Sequence, residues 1–123
     1  MGFRESLGMR LRGAYLSMHR CFDARFTRLG ATADQYVILT MLAEEDGIIQ
    51  QELMRRVFSD PNTVSAMLGR LEKRGLIRRR AHDGDGRARC VYLTAKGRRL
   101  QRQLDESAKA LHERLFRSGD PRQ

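Results

Sequence analysis

Arginine supplies most of the chemistry open to this sequence. Arg78-Arg79-Arg80 form an unbroken run, His82-Asp83-Gly84-Asp85-Gly86 interrupts the charge, and Arg87 and Arg89 resume it. A guanidinium is planar, permanently charged and weakly hydrated, which suits it to phosphate oxygens and to narrow grooves of negative potential. Just upstream, Asn62, Thr63, Ser65, Ala66, Gly69, Arg70 and Lys73 lie opposite the apolar set Val64, Met67, Leu68 and Leu71 when wound as a helix. Short hydroxyls and amides near a helix N-terminus donate to phosphates and base edges, and the terminus itself favours phosphate. The Ala66 methyl suits contact with thymine, and the Arg70 fork suits guanine. On this pattern Lys73 and the strand cations Arg78, Arg79, Arg80, Arg87 and Arg89 suit phosphates and narrow grooves.

The positive charge is confined as well as large. The chain of 123 residues has a net charge of +9. Residues 55–102 hold 14 basic and 4 acidic groups, while the remainder hold 10 basic and 11 acidic. A basic block joined to a neutral remainder is the footprint of a polyanion partner. The length fits a single domain over 1–123, with a core modest enough for a partner subunit to matter. At 41% apolar and 32% charged residues the chain should fold. No apolar run approaches the roughly 20 residues that span a bilayer, so no membrane partner is expected. The N-terminus lacks an apolar signal core. Cys21 and Cys90 lie far apart without ligand spacing, which argues against a disulfide framework or metal site and for a reducing cytoplasm. His19, His82 and His112 have no neighbouring nucleophile, and no phosphate-cradling glycine loop is present. The chain is therefore expected to be neither an enzyme nor a cofactor carrier.

Several elements must position the cations. Residues 5–28 carry Leu7, Leu11, Tyr15, Met18, Phe22 and Phe26 in steps of three and four, the mark of one long amphipathic helix. Thr32 is placed to cap a helix over 33–44, with Glu45-Asp46-Gly47 ending it. A short helix is expected over 49–57. Asp60-Pro61 opens the next, over 60–74, which stops at Gly75. Residues 76–81 and 88–93 read as strands joined by Asp83-Gly84-Asp85-Gly86, whose residues tolerate positive φ. Thr94 caps a last helix over 95–116. The expected fold is mainly α with a small β-hairpin wing: a winged helix-turn-helix core over 32–94 between N- and C-terminal helices.

Residues 32–97 resemble the DNA-binding core of the MarR family of winged-helix transcription regulators. The resemblance is carried by TADQYVILTMLAEEDGIIQQEL, SDPNTVSAMLGRLEKRGLIRRR and DGRARCVYLTAKG. Its most specific part is Asp85-Gly86-Arg87 followed by Leu93-Thr94-Ala95-Lys96-Gly97. The resemblance implies a homodimer built from the 5–28 and 95–116 helices. It implies recognition helices in successive major grooves of a pseudo-palindromic double-stranded operator, with wing arginines in the adjacent minor grooves. Asp85 would hold Arg87 in position. The chain departs from many members by carrying Ala66 where a longer side chain is common, and by ending soon after its fifth helix.

The resemblance also implies a repressor released by a small aromatic or phenolic effector. Tyr15, Met18, His19, Tyr36, Thr40 and Met41 are the candidate lining of the effector pocket, with His19 available to pair with a carboxylate. Some members sense oxidants through a cysteine in the first helix. Cys21 lies in the first helix, with Arg20 and Arg25 near enough in sequence to favour its thiolate. It stands only 15 residues before Tyr36, a register that does not match those sensors, so a buried, inert thiol is expected and redox sensing is the alternative. An alternative to duplex DNA is an RNA- or ribosome-associated role. It is disfavoured because Phe58 and Tyr92 are the only aromatics in the basic block.

Overall fold

The computed structural model describes residues 3–57, 60–82 and 84–118; the side chains at 3–5, 82, 85–87 and 115–118 fall outside that description. Among the described residues, five helices and three strands follow one another: α1 (Phe3–Thr27), α2 (Ala33–Glu44), β1 (Ile48–Ile49), α3 (Gln50–Arg56), α4 (Pro61–Lys73), β2 (Ile77–His82), β3 (Asp85–Leu93) and α5 (Ala95–Ser118). The C-terminal Gly119-Asp120-Pro121, expected to end the ordered chain, lies outside the described residues.

Local chemistry explains most of these boundaries. Thr32 and Gln35 form a reciprocal capping box at the start of α2, with Thr32 Oγ1 accepting from Gln35 N–H at 3.0 Å and Gln35 Oε1 from Thr32 N–H at 3.1 Å. Asp60 caps α4 by accepting from Thr63 N–H at 3.0 Å, with Pro61 in the first helical position. Gly75, at φ +75°, ends α4 in a conformation that other residues resist.

The sheet differs from the expected two-stranded hairpin. It has three antiparallel strands in the order β1-β3-β2. Ile48 pairs with Val91 and Ile49 with Cys90, so Ile49 belongs to a strand and α3 begins one residue later than expected. Gly47, at φ +82°, makes the turn into β1. An added Cβ there would come within 2.9 Å of the Tyr92 ring. Asp46 Oδ1 accepts from Leu93 N–H at 2.8 Å and fixes the same corner.

One core joins all the layers. Phe26 of α1, Ile38, Leu39 and Leu42 of α2, Leu53 of α3, Val64, Leu68 and Leu71 of α4, Ile77 and Val91 of the sheet and Leu104 of α5 are all buried. The apolar stripe of α1 divides into two parts. Its C-terminal end, Phe22 and Phe26, packs into the core, whereas Leu7, Leu11, Tyr15 and Met18 are exposed.

Candidate nucleic-acid interface

Helix α4 buries Val64, Met67, Leu68 and Leu71 and turns Asn62, Thr63, Ser65, Ala66, Arg70 and Lys73 to solvent. All six candidate contacts on this helix therefore share one open face. Thr63 is partly committed, since its hydroxyl lies 3.2 Å from the capping Asp60 Oδ2. Gly69 lies on the same face, and an added Cβ there would meet nothing within 4 Å.

Pleating sorts the wing cations. Residues directly opposite each other in a sheet share a face. The pairs Ile77–Leu93, Arg79–Val91 and Ala81–Arg89 define the face toward α4, and Arg78–Tyr92 and Arg80–Cys90 the other. Arg78, Arg80 and Arg89 are exposed. Like Arg70 and Lys73, they make no ion pair among the described residues. A register shift between Ala81 and His82 precedes the tip. The side chains of Asp85 and Arg87, the expected orienting pair, lie outside the described residues.

Arg79 is placed differently from its neighbours. Its Nη2 and Nε lie 2.9 and 3.2 Å from Glu72 Oε1, its own N–H donates to Glu72 Oε2 at 3.2 Å, and Nη1 reaches Gln50 Oε1 at 3.4 Å. Its side chain is only 15% exposed. These bonds hold the Glu72 carboxyl below the usual carboxylate range. Arg79, expected at a phosphate, instead ties β2 to α4 and to the start of α3. Its parity with Ile77 already pointed that way. Other cations of the basic block are neutralised too. Arg55 and Arg56 converge on Glu52, whose pKa falls to about 2, chiefly through the Arg55 hydrogen bond. Arg56 also reaches Glu45, and Arg98 pairs with Asp46 at 2.9 Å. The exposed cations of the block left without an ion pair among the described residues include Arg70, Lys73, Arg74, Arg78, Arg80 and Arg89 on or beside α4 and the ribbon, and Arg99 and Arg102 on α5.

The Leu-Thr-x-Lys-Gly signature has a structural explanation. Thr94 Oγ1 donates to Gly75 O at 2.6 Å and accepts from Gly97 N–H at 3.0 Å, capping α5. Thr94 N–H donates to Leu76 O at 3.1 Å, and Lys96 Nζ donates to Arg74 O at 2.9 Å. Gly97 packs so closely that an added Cβ would sit 2.1 Å from Leu76 O. The signature bolts the first turn of α5 onto the turn that follows α4.

A second candidate site lies where α1 meets α2. Tyr15, Met18, His19 and Tyr36 line a cavity of about 210 Å³ there, together with Phe22 and Phe26. Thr40 and Met41, also expected in the lining, are elsewhere. Thr40 Oγ1 lies 3.4 Å from Gln101 Nε2, and Met41 packs on the core, because both point toward the protein interior behind α2. Tyr36 OH donates to Asp105 Oδ1 at 2.9 Å, and burial followed by that bond raises its pKa. His19 is already engaged, with Nδ1 3.2 Å from Asp23 Oδ2 and Nε2 3.4 Å from Asp34 Oδ1. Sequence reasoning missed Asp34, which is brought in by the turn between α1 and α2. Cys21 is exposed, but Arg20 and Arg25 lean toward Ser17 and Ser107 rather than toward it. Among the described residues no helix is long and apolar enough to cross a membrane.

Comparison with known proteins places these features in context. A sequence profile described as the MarR family matches residues 31–88. The chain is 33% identical over 94 residues to the HTH-type transcriptional repressor Rv2887 of Mycobacterium tuberculosis, covering 76% of this chain and 68% of that protein. It is 39% identical over 69 residues to the transcriptional regulator HosA of Escherichia coli, covering 56% and 51% of the two. The chain spans about half or less of the length of several curated relatives. Among solved structures, the transcriptional repressor CouR of Rhodococcus jostii RHA1 bound to a 23-mer DNA duplex superposes with a TM-score of 0.86, at 28% identity, over 94% of this chain and 82% of that one.

Proposed function

This chain belongs to the MarR family of transcriptional regulators, and on that premise we propose that it is a homodimeric repressor that binds a pseudo-palindromic operator in double-stranded DNA. The observation that carries the reading is the sorting of charge: Glu45, Asp46, Glu52 and Glu72 are spent on Arg55, Arg56, Arg79 and Arg98, while Arg70, Lys73, Arg78, Arg80 and Arg89 stay open beside the small polar face of α4. Asn62, Ser65, Ala66 and Arg70 meet base edges in the major groove, with Thr63 at its margin. Lys73 and Arg80 meet phosphates. Arg87, oriented by Asp85, enters the minor groove with Arg89 beside it. Arg79 holds the wing against α4 and does not contact DNA. Support comes from the CouR–DNA complex, whose fold this chain shares. The exposed Leu7 and Leu11 of α1, which lie outside the cavity, support dimerisation, since large apolar side chains along one helix are cheaper to bury than to hydrate. A small aromatic effector in the α1–α2 cavity releases the operator.

Anisotropy titration of a labelled operator duplex at several salt concentrations tests this. Each phosphate contact contributes about −0.9 to the slope of log affinity against log salt. A steep slope is expected; a slope near zero overturns the proposal. Arg87→Ala is expected to weaken binding without lowering the melting temperature, and unchanged binding removes Arg87 from the groove. A structured RNA competitor that displaces the duplex at equal concentration would favour the RNA-binding alternative.

A further inference from the structure

The α1–α2 cavity has an unusual balance of charge for a site expected to hold an aromatic acid. Its walls are rings: Tyr15, Phe22, Phe26 and Tyr36. Tyr15 and His19 lie 5.8 Å apart between ring centroids, Phe22 and Phe26 5.7 Å, and Phe26 and Tyr36 4.9 Å, so the rings form two tilted groups along the wall, Tyr15 with His19 and Phe22 with Phe26 and Tyr36. Its lining contains an aspartate, Asp34, and no lysine or arginine.

We infer that this cavity binds a small organic cation, an ammonium or quaternary ammonium carrying about one aromatic ring, and that it rejects aromatic carboxylates. This rests on the reading of the cavity as the effector site. An acid entering here finds no guanidinium or ammonium to pair with. The nitrogens of His19, its one cationic candidate, already face Asp23 and Asp34. Whichever form the imidazole takes, the two carboxylates outnumber it, and the cluster is net negative. A carboxylate would lose water and gain repulsion. A cation meets the opposite conditions. Ring faces carry negative potential and attract a desolvated ammonium, and the Asp34 side chain, 58% exposed, is open to pair with it. The Met18 thioether adds a soft, polarizable wall. A volume of about 210 Å³ is below the range of drug-sized pockets, roughly 300–1,000 Å³, and limits the ligand to about one ring.

Isothermal titration of the whole chain with three one-ring probes of different charge tests the inference: benzyltrimethylammonium, benzyl alcohol and benzoate. Affinity should fall in that order, with at least about tenfold between the ammonium and the benzoate, roughly the worth of one close charge contact. Asp34→Asn should remove most of that difference. Asp34 sits exposed in the first turn of α2, so the variant should still melt cooperatively. Tyr15→Leu should weaken the ammonium several-fold and leave benzyl alcohol little changed, which packing loss alone would not do. Benzoate binding as tightly as the ammonium, a difference that survives Asp34→Asn, or no binding by any probe overturns the inference. Operator binding measured without probe is a separate readout. Its loss would overturn the proposed function and leave the charge preference standing. Ammonium binding that leaves operator affinity unchanged would support the ligand class and remove the effector role.

Discussion

Replacing Gly97 by alanine adds one carbon at the most crowded backbone contact in the protein's described glycines. The new Cβ would lie 2.1 Å from the Leu76 carbonyl oxygen and 2.9 Å from Leu93 Cδ1. The leucine side chain can rotate away. The carbonyl cannot, because it accepts from Thr94 N–H at 3.1 Å and belongs to the turn that Thr94 and Lys96 also hold. Relief requires the first turn of α5 to move outward. Overpacking of this kind costs about 1–3 kcal/mol, and a clash with fixed backbone belongs at the upper end. Loss of the Thr94–Leu76 hydrogen bond adds about 1 kcal/mol. The better helix propensity of alanine returns at most about 1 kcal/mol. The net loss is therefore about 3 kcal/mol. With an unfolding entropy near 2.1 cal/mol/K per residue, this chain shifts its melting temperature by roughly 4 °C per kcal/mol, so a fall of about 12 °C is expected. Thermal melts followed by far-ultraviolet circular dichroism measure it. Gly69→Ala is the control. That glycine is also helical, but an added Cβ meets nothing within 4 Å, so the same exchange should raise the melting temperature by a few degrees, about 1 kcal/mol of propensity. A fall of less than about 4 °C for Gly97→Ala, or the same sign for both variants, would refute the packing argument.

Three further outcomes follow from the same geometry. Arg79→Ala should lower the melting temperature by roughly 4 °C through loss of about 1 kcal/mol of charged hydrogen bonding, whereas Arg80→Ala should leave it nearly unchanged and reduce the operator salt slope by about one unit. The Glu72 carboxyl is held below its ordinary 4.5 by Arg79, so the pair stabilises the fold above that pH and loses its contribution as acid titrates the folded carboxyl. The melting difference between the native chain and Glu72→Gln should accordingly be full near pH 7 and shrink below about pH 4; a difference constant across that range would contradict the ion pair. Thr94→Val removes the α5 cap and the bond to Gly75 O, which should cost about 1–2 kcal/mol and some 4–8 °C in the same melts.

Features set by neighbours in the chain were legible in the sequence. Thr32 with Gln35, Asp60 with Pro61, and Gly75 announce helix ends through bonds that span three or four residues. The exposed face of α4 followed from its buried one. Features that need a distant partner were not legible. Strand β1 is two residues long and exists because Val91 and Cys90 offer it a ladder, and no periodicity marks two residues. The stripe along α1 has a single period but two environments, because only its C-terminal end lies over α2 and α5. The pairing of His19 with Asp23 is an i,i+4 contact that the sequence offers, while Asp34 reaches the same ring only after the chain reverses direction. That second carboxylate alters the chemistry of the cavity.

Arg79 shows how a legible signal can be outweighed by a louder one. A run of three arginines invites one role for all three, but a strand allows no such uniformity: Arg78 and Arg80 must leave one face and Arg79 the other. The inward face already carries Ile77 and Val91, so the middle guanidinium extends along α4 until it meets Glu72 and Gln50. One side chain thereby links the helix that carries Asn62, Ser65 and Arg70, the strand that leads to the wing, and the start of α3. At the same C-terminal end of α4, Thr94, Lys96 and Gly97 lock the following turn to α5. The exposed face of α4, the ribbon and the long C-terminal helix are therefore tied together at the C-terminal end of α4. Helix α5 meets the end of α4 through one backbone bond, Thr94 N–H to Leu76 O, and through side-chain bonds from Thr94 and Lys96 to backbone carbonyls, and the same helix is hydrogen-bonded at Asp105 to Tyr36 of the cavity.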